Sequence, residues 1–324
     1  SLRLWPPKSG PTASPPKLTV AGPRSRAARI GARRGARRGA RRGARRLVRD
    51  AARELEDAGV PEPVASAEVL LSELLDTRRA DLALRNEPLT EEQAALYEAW
   101  ILRRVKREPV QRILGYSYFR NLRLDLDAHT LIPRPDTESV VEAALEAVDR
   151  RGGSCRVLDI GTGSGAIAVS IAQERPSCEV HATDNSGGAL RLARRNAEHA
   201  GATVRFHLAD FTSGLEDLAG SIGLFVSNPP YVTSSDIPKL APEVRDWDPW
   251  AALDGGRDGL DFYRRIFAEA EPLLAEEADV VLEVGDGQAE AVLDLGRRAG
   301  YRPLGTRADL VGTPRSVLLR RGSG

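Results

Sequence analysis

The tetrapeptide Asn228-Pro229-Pro230-Tyr231 is the segment whose residue types specify chemistry most directly. It follows the apolar run Leu224-Phe225-Val226, so it is expected where a buried strand ends. The side-chain oxygen of Asn228 and the carbonyl of Pro229 can each accept a hydrogen bond from one planar amino group. Proline has no N–H and drives the preceding residue into an extended conformation, so the carbonyls can face a pocket where Tyr231 stacks on the held group. A simple end to the strand is the alternative interpretation.

A glycine-rich turn follows another predicted strand. Gly161-Thr162-Gly163-Ser164-Gly165 comes directly after Asp159-Ile160 and leads into a helix. Glycines let the backbone approach a ligand closely, and the helix N-terminus offers unpaired N–H groups to its polar part. Asp184 ends the next strand, where its carboxylate can hold two vicinal ribose hydroxyls. This turn therefore predicts a nucleoside-containing cofactor, with a plain tight turn as the alternative.

The glycine turn alone is compatible with two cofactors. Gly161, Gly163 and Ala166 match the dinucleotide pattern G-x-G-x-x-A and are followed by the acid Asp184, so NAD and S-adenosylmethionine both fit this motif. Asn228 favours the second cofactor. A dehydrogenase needs a group that moves a proton from a substrate hydroxyl, whereas methyl transfer to a planar NH2 needs acceptors that orient its nitrogen. The two motifs together predict methylation of an amino group.

The elements that must position these motifs alternate between strand and helix. The apolar runs predict strands over Arg156–Ile160, Glu179–Thr183, Val204–Leu208, Leu224–Ser227, Asp279–Glu283 and Ser316–Arg320. The helical patterns between them cover Ala166–Glu174, Ala189–Ala200, Leu260–Leu274 and Gln288–Ala299. A parallel sheet of this kind binds ligands beyond the carboxyl ends of its strands, so both motifs are expected at one edge.

The segment before this sheet is predicted to be helical. Two helices are expected over 47–58 and 63–75, and Thr90-x-x-Gln93 has the spacing of a capping box at the start of another. The apolar face of the second helix is formed by Val64, Ala67, Leu70, Leu71 and Leu74. These patterns indicate a small helical domain.

A β-hairpin is predicted between the helices and the sheet. Leu122, Leu124 and Leu126 alternate with polar residues, which is the period of a half-buried strand. The predicted organisation is a disordered tail over 1–46, a helical domain over 47–110, a hairpin linker over 111–135 and a catalytic domain over 136–324.

The N-terminal tail differs in composition from the rest of the chain. Residues 1–49 hold 15 Lys and Arg and no Asp or Glu, which leaves 32 basic against 46 acidic residues in the remainder. The tail is Pro-rich and then repeats Gly-Ala-Arg-Arg over 31–46, a pattern with too little to bury, so we expect disorder. It is open whether the tail is a nucleic-acid arm, a targeting sequence, a stretch translated from a misassigned start or a solvated extension.

The bulk composition is that of a globular protein. The chain is 41% hydrophobic and 29% charged, and no apolar stretch approaches the roughly 18 residues that cross a bilayer. Cys155 and Cys178 are too few for a disulfide framework, and the scattered histidines have no zinc-binding spacing. We therefore expect a reducing, metal-free interior. The further expectations are a monomer and a cytoplasmic location, or an organellar one if the tail is a targeting sequence.

Four segments closely resemble the N5-glutamine methyltransferases of peptide chain release factors, the HemK family. They are Leu-Ile-Pro-Arg-Pro-Asp-Thr-Glu over 131–138, the glycine turn with its flanks over 157–168, the Asn-Pro-Pro-Tyr segment over 226–231, and Ala-Leu-Asp-Gly-Gly-Arg-Asp-Gly-Leu over 252–260. The resemblance extends from about Leu47 to Arg320 and leaves only the tail outside. Asn-Pro-Pro-Tyr alone is shared with methyltransferases of adenine or guanine, but the first segment is far more specific.

The resemblance implies an α/β fold, namely a Rossmann-like class I S-adenosylmethionine-dependent methyltransferase with a seven-stranded sheet, preceded by a small helical domain and a β-hairpin. The implied substrate is the glutamine in the Gly-Gly-Gln loop of a class I release factor. The residues implied to bind the cofactor are Asp159, Gly161, Thr162, Gly163, Ser164, Gly165, Asp184, Asp210, Phe211 and Asn228. Phe211 is expected beside the adenine, at a position where some relatives have Trp.

The resemblance also implies a set of substrate contacts. They are Asn228, Pro229, Pro230, Tyr231, Arg134 and Glu138, of which Asn228, Pro229 and Tyr231 surround the reacting group. An exposed ion pair in a loop is the alternative role for Arg134 and Glu138. The segment Asp248-Pro249-Trp250 departs slightly from the family, where the acidic residue before Pro is usually Glu.

Two other functions remain possible on the sequence. A nucleobase amino methyltransferase is favoured by the Arg-rich tail but opposed by the remainder of the chain, whose charge balance is about −14. It is opposed also by the lack of an obvious target-recognition domain, so nucleic-acid contact is expected only through the tail. A catalytically silent binding module is opposed by the intact Asn-Pro-Pro-Tyr segment.

Overall fold

The computed structural model of the chain describes residues 43–85, 87–309 and 311–322. These residues divide into two compact units after Leu114. Residues 1–42 lie outside the described residues, so the expectations for them stay predictions. The predicted end of the tail needs correction, because residues 44–46 form the first turn of a helix. Ala44 is buried there, since it shares one helix face with Leu47 and Ala51.

The first unit is helical, as predicted. Its helices are α1 Ala44–Asp57, α2 Pro63–Leu74, α3 Glu91–Val105 and α4 Val110–Leu114, with a 3-10 helix at Arg79–Leu84. The predicted capping box is confirmed: Gln93 N donates to Thr90 Oγ1 at 3.1 Å, and Thr90 N donates to Gln93 Oε1 at 3.0 Å. Helix α3 is tied to α2 by the hydroxyl of Tyr97, which donates to the carbonyl of Ala67 at 3.0 Å.

Two details of this unit differ from prediction. Val64 is 51% exposed, because it stands in the first turn of α2, before the buried stretch from Ser66 to Ser72 begins. The segment predicted as a linker over 111–135 is also divided between the two units, whose boundary follows Leu114. Its first residues belong to α4, because Val110, Ile113 and Leu114 are buried at helical spacing within the first unit.

The second unit begins with the predicted hairpin. Strand β1 Tyr116–Phe119 pairs antiparallel with β2 Leu122–Asp125. Asn196 fixes the hairpin to the rest of this unit: its Oδ1 accepts from Asp125 N at 2.8 Å, and its Nδ2 donates to Asp125 O at 3.2 Å and to Ser164 O at 2.8 Å. One fully buried amide therefore holds both the hairpin and the glycine turn.

A seven-stranded sheet forms the centre of the second unit, in the order β5-β4-β3-β6-β7-β9-β8. Its strands are β3 Arg156–Ile160, β4 Glu179–Asp184, β5 Val204–Leu208, β6 Ile222–Ser227, β7 Leu274–Glu283, β8 Tyr301–Ala308 and β9 Pro314–Arg321. Strands β3 to β7 are parallel, whereas β9 runs antiparallel to β7 and β8. Ile160 lies beside Ser227 in the register, so β3 and β6 end at one edge, as predicted.

Helices cover both faces of the sheet. They are α5 Glu138–Arg150, α6 Ala166–Glu174, α7 Gly187–Ala200, the single turn α8 Pro242–Arg245, α9 Asp261–Glu269 and α10 Ala289–Arg298. One apolar core contains α5 and α6, and a second contains α9 and α10. Among the residues that the structure describes, no helix is both long enough and apolar enough to cross a membrane.

Candidate active site

A cavity of about 380 Å³ lies at the carboxyl edge of the sheet, within the second unit. Its volume is within the usual range for small-molecule sites. The loops after β3, β4, β5 and β6 line it, together with the segment from Ala128 to Thr137. The sequence-predicted residues that line it are Arg134, Gly161, Thr162, Gly163, Ser164, Asp184, Asp210, Phe211, Asn228, Pro229 and Pro230. One cavity thus brings together the two motifs that the sequence separates by more than 60 residues.

The glycine turn has a backbone conformation that requires glycine. Gly161 and Gly163 have φ values of 72° and 55°, in the left-handed region that side chains with a Cβ rarely adopt. The turn is anchored to the neighbouring strand, because Thr162 N donates to Thr183 O at 2.9 Å. It is also anchored to the next strand end, because Gly163 N donates to Asp184 Oδ2 at 2.9 Å.

Asp159 lies behind this turn and does not line the cavity. Its carboxyl is 1% exposed and accepts the hydroxyl proton of Thr162 at 2.7 Å. Burial raises the pKa of Asp159 to about 7, although the bond from Thr162 opposes this shift. Asp159 therefore supports the turn, in contrast to the predicted direct cofactor contact. Gly165 is likewise outside the cavity lining.

The carboxylate of Asp184 supports the glycine turn and also lines the cavity. Its Oδ2 accepts from Gly163 N and its Oδ1 accepts from Ser186 N, each at 2.9 Å. Burial raises its pKa, and these two bonds act in the opposite direction. A carboxylate has about four lone pairs, so two remain for hydroxyl groups in the cavity.

Arg265 is a cavity residue that the sequence analysis missed. It forms two hydrogen bonds with Asp210, from Nη1 to Oδ1 at 2.9 Å and from Nη2 to Oδ2 at 3.1 Å. Its guanidinium carbon lies 4.8 Å from the centroid of the Phe211 ring, which is 5% exposed. Arg265 therefore covers the face that was expected beside an adenine. No local pattern signals this contact, because α9 brings Arg265 to the loop from 55 residues away.

Asn228 leaves the sheet at the cavity, and its side chain has a defined partner. The amide Nδ2 donates to Thr137 Oγ1 at 3.2 Å. Thr137 also lines the cavity and belongs to the Ile-Pro-Arg-Pro-Asp-Thr-Glu segment, in a 3-10 helix over Pro135–Thr137. Two of the four segments that resemble the HemK family are thus joined by one side-chain hydrogen bond.

Tyr231 has a different position from the one predicted. It does not line the cavity, and its hydroxyl donates to Glu283 Oε1 at 3.4 Å. Burial, followed by the nearby charge of Glu283, raises its pKa. A buried tyrosine hydroxyl needs a hydrogen-bond partner, and the carboxyl at the end of β7 supplies one. Tyr231 thus lies beside the cavity lining, and its expected stacking on a held group stays a prediction.

The glycine-rich segment over 252–260 packs against the backbone of Tyr231 and Val232. Val232 N donates to Leu253 O at 3.0 Å, and Gly255 N donates to Val232 O at 2.8 Å. A Cβ at Gly255 would lie 2.8 Å from Tyr231 Cα, and one at Gly259 would overlap with Tyr231 O. This segment needs glycine because the backbone after Asn-Pro-Pro passes so closely.

Arg134 and Glu138 bind separate partners and do not pair with each other. Arg134 Nη2 forms an ion pair with Asp248 Oδ2 at 2.7 Å, and the side chain of Asp248 is fully buried. Glu138 Oε1 accepts from Arg120 N at 3.3 Å and lies outside the cavity lining. Only Arg134 therefore stands where it could meet a substrate.

The residues present fit S-adenosylmethionine. The glycine turn exposes backbone at the cavity, Asp184 has lone pairs for a ribose diol, and Ile160, Ala209 and Ile266 offer an apolar lining to a purine. In the part of the chain that the structure describes, no group of three His, Cys, Asp or Glu side chains could hold a metal ion. The seven-stranded sheet with one strand inserted antiparallel, together with this cavity, defines a Rossmann-like S-adenosylmethionine-dependent methyltransferase.

Comparisons with known proteins identify the family. Two family models match: the PrmC N-terminal domain over residues 46–115 and the methyltransferase small domain over residues 139–243. The chain is 42% identical to the release factor glutamine methyltransferase of Rhodospirillum rubrum, over 83% of this chain and 82% of that protein. It is also 42% identical to the enzyme of the same name from Geobacter sulfurreducens, over 81% and 91%. A crystal structure of a methyltransferase from Pyrococcus furiosus is similar with a TM-score of 0.48 and 20% identity, covering 70% of this chain and 98% of that one. The chain belongs to the release factor glutamine methyltransferase family.

Proposed function

We propose that this enzyme transfers the methyl group of S-adenosylmethionine to the side-chain amide nitrogen, N5, of the glutamine in the Gly-Gly-Gln loop of a class I release factor. One observation carries the proposal. Asn228 and Pro229 line the same cavity as the glycine turn and Asp184, so two hydrogen-bond acceptors stand beside the site that fits the cofactor.

The residues of the chain act by orientation. S-adenosylmethionine supplies an electrophilic methyl group on a sulfonium. Asn228 Oδ1 and Pro229 O accept the two N–H groups of the glutamine amide, which directs the nitrogen towards that methyl group. The glycine turn and Asp184 would hold S-adenosylmethionine, which would supply the methyl group. The nitrogen would gain that methyl group as the carbon–sulfur bond breaks, and would then release a proton to water. The preorganised acceptors provide the electrostatic stabilisation.

Arg134 is the further substrate contact in this proposal. It lines the cavity while its ion pair with the buried Asp248 fixes its position. A carbonyl of the release-factor loop can therefore approach its remaining donors. Glu138 has no part, because its carboxylate accepts from Arg120 N outside the cavity.

Two further parts of the proposal are that the active enzyme is a monomer and that it acts in the cytoplasm. A monomer is the active form in this proposal, because the turn that fits the cofactor and the two acceptors already meet in one cavity of the second unit. A release factor as substrate supports the compartment of translation, the cytoplasm, as the site of action. A nucleobase acceptor is not favoured, since the relatives in the comparisons are named for release factor glutamine.

Mass spectrometry tests the proposal. The full chain, incubated with S-adenosylmethionine and a release factor, should add one methyl group to the glutamine of Gly-Gly-Gln. A release factor in which that glutamine is replaced by asparagine should stay unlabelled, because the shorter side chain withdraws the amide from Asn228 and Pro229. Ribosomal RNA and DNA, offered in place of the release factor, should stay unlabelled too. Methylated nucleic acid with no label on the release factor would transfer the assignment to the nucleobase enzymes.

A further inference from the structure

The ring of Phe211 has little surface left for a ligand. Phe211 lines the cavity after strand β5, but it is only 5% exposed. Its ring packs against the buried ring of Phe225, with the two centroids 6.5 Å apart. The guanidinium carbon of Arg265 lies over the ring, 4.8 Å from its centroid. The aromatic platform that the sequence predicts beside an adenine is therefore largely covered.

The guanidinium of Arg265 is itself fixed by carboxylates. Nη1 donates to Asp210 Oδ1 at 2.9 Å and Nη2 donates to Asp210 Oδ2 at 3.1 Å. Nε donates to Glu269 Oε1 at 2.9 Å, from one turn further along α9. Each of the three guanidinium nitrogens thus has an acceptor, and the acceptors come from two different elements. A planar group held in this way has a defined orientation.

The flat face is what this guanidinium can offer to a ligand. Arg265 lines the cavity, and 32% of its side-chain surface is exposed. Its nitrogens are directed at Asp210 and Glu269, so the plane of the group remains for contact. Guanidinium planes stack on aromatic rings and on nucleobases. The cavity therefore has a stacking surface near its apolar residues Ala209 and Ile266.

The charge around Arg265 is compatible with a cationic ligand. Its single positive charge is paired with two carboxylates, those of Asp210 and Glu269. S-adenosylmethionine has a sulfonium and an ammonium group against one carboxylate, so it is positively charged. An unpaired arginine in the cavity would repel it, whereas this compensated arginine does not.

We propose that Arg265 binds the adenine of S-adenosylmethionine, with its guanidinium between the base and the ring of Phe211. Arg265 thus takes the role of stacking platform that the sequence assigns to Phe211. The inference rests on the proposed function, because it concerns the cofactor of that reaction. The opposite arrangement is a cover, in which Arg265 moves aside and exposes Phe211. The two arrangements differ in sign, because removal of a platform weakens binding and removal of a cover strengthens it.

Calorimetric titration with S-adenosylmethionine tests the sign. Arg265→Met keeps the length of the side chain but has no guanidinium plane, so the Kd should rise on the order of tenfold. Arg265→Lys keeps the charge without the plane and should recover little of that loss. Arg264→Met is the matched control: Arg264 precedes Arg265 on α9, pairs with Asp258 and Asp261, and lies outside the cavity lining. Its Kd should equal that of the parent.

The demethylated product, S-adenosylhomocysteine, separates the base from the sulfonium. It has the same adenine but no positive charge on sulfur. If Arg265 contacts the base, Arg265→Met should weaken the binding of both ligands by the same factor. A loss confined to S-adenosylmethionine would assign the effect to the sulfonium and overturn the inference.

The remaining outcomes are equally decisive. An unchanged or lower Kd in a folded Arg265→Met enzyme, with a circular dichroism spectrum equal to that of the parent, overturns the platform. A parental Kd in Arg265→Lys overturns it as well, because charge alone would then suffice. A parent that binds neither ligand overturns the proposed function and this inference together. A parent that binds both ligands but leaves the release factor unmethylated overturns the proposed function alone, and the Kd values still decide the role of Arg265.

Discussion

The hydroxyl of the buried Ser227 donates to the carbonyl of Ile160 at 2.7 Å, at the carboxyl edge of the sheet. Ser227 is the last residue of β6 and Ile160 the last of β3, and they are adjacent in the parallel register. The residues that follow, Asn228 and Gly161, therefore leave the sheet side by side. This bond links the segment that holds the acceptors to the turn that fits the cofactor.

Ser227→Ala should lower the free energy of unfolding by about 1–3 kcal/mol, because a buried carbonyl loses its donor. Urea unfolding followed by circular dichroism measures this difference. Ser235→Ala is the control, since Ser235 is exposed and its loss should change stability by less than about 0.5 kcal/mol. Equal midpoints for the two variants would show that the bond contributes little.

Asp184→Ala should weaken the binding of S-adenosylmethionine at least tenfold. Two effects add: the ribose loses a charge-assisted acceptor, and Gly163 N loses the partner that holds the glycine turn at 2.9 Å. Loss of a hydrogen bond to a charged group costs about 1.5–3 kcal/mol. Calorimetric titration gives the Kd. An unchanged value, or tight binding of NAD by the parent, would contradict the cofactor site.

The sequence predicts this site well wherever local rules apply. The glycine turn, the strand ends and the Asn-Pro-Pro segment each follow from residue type and short-range pattern, and the parallel topology then places them at one edge. Strand β8 is the strand of the seven-stranded sheet that the pattern did not predict. Only Tyr301 of its residues is buried, and Pro303 and Gly305 interrupt the alternation that marks a strand.

The contacts that the sequence does not predict are long-range side-chain pairs. Arg265 reaches Asp210, Arg134 reaches Asp248, and Thr137 reaches Asn228, each across more than 50 residues. Such pairs depend on how helices and loops pack over the sheet, which no local period encodes. For the same reason the ring of Tyr231 could not be placed, because its partner Glu283 lies on another strand.

Asn228→Ala should lower kcat roughly 100- to 1000-fold, the usual effect of losing one preorganised polar contact in a transition state. The half-buried side chain lines the cavity and contacts Thr137, so its loss should affect turnover more than folding. A methylation assay at saturating release factor measures kcat. Asn121→Ala serves as control, because Asn121 is exposed and outside the cavity. Normal turnover of a folded Asn228→Ala enzyme would disprove the acceptor role.

Gly255→Ala should reduce kcat by displacing the backbone beside Asn-Pro-Pro. The added Cβ would lie 2.8 Å from Tyr231 Cα and 2.9 Å from Pro230 O, so the backbone itself must move. A shift of about 1 Å at a reacting group can lower the rate about 100-fold. Gly187→Ala is the matched control, because its Cβ would meet only a flexible arginine side chain at 3.7 Å. Parental kcat in both variants would show that the segment over 252–260 does not position the site.

The buried carboxyl of Asp159 should make stability depend on pH in an unusual direction. Its pKa is raised from 3.8 to about 7 by burial, so between these values the unfolded chain has lost a proton that the native protein keeps. The contribution of Asp159 to the free energy of unfolding therefore falls as the pH rises through this window and is constant above it.

Asp159→Asn removes this contribution. The difference in unfolding free energy between variant and parent should move in favour of the variant from pH 4 to 7, by about 1.4 kcal/mol for each pH unit within that window. Taking the difference isolates Asp159, because burial raises the pKa values of Asp184 and Glu283 in both proteins. Chemical denaturation at a series of pH values measures it, and a difference that stays constant would mean that Asp159 is ionised in the native turn.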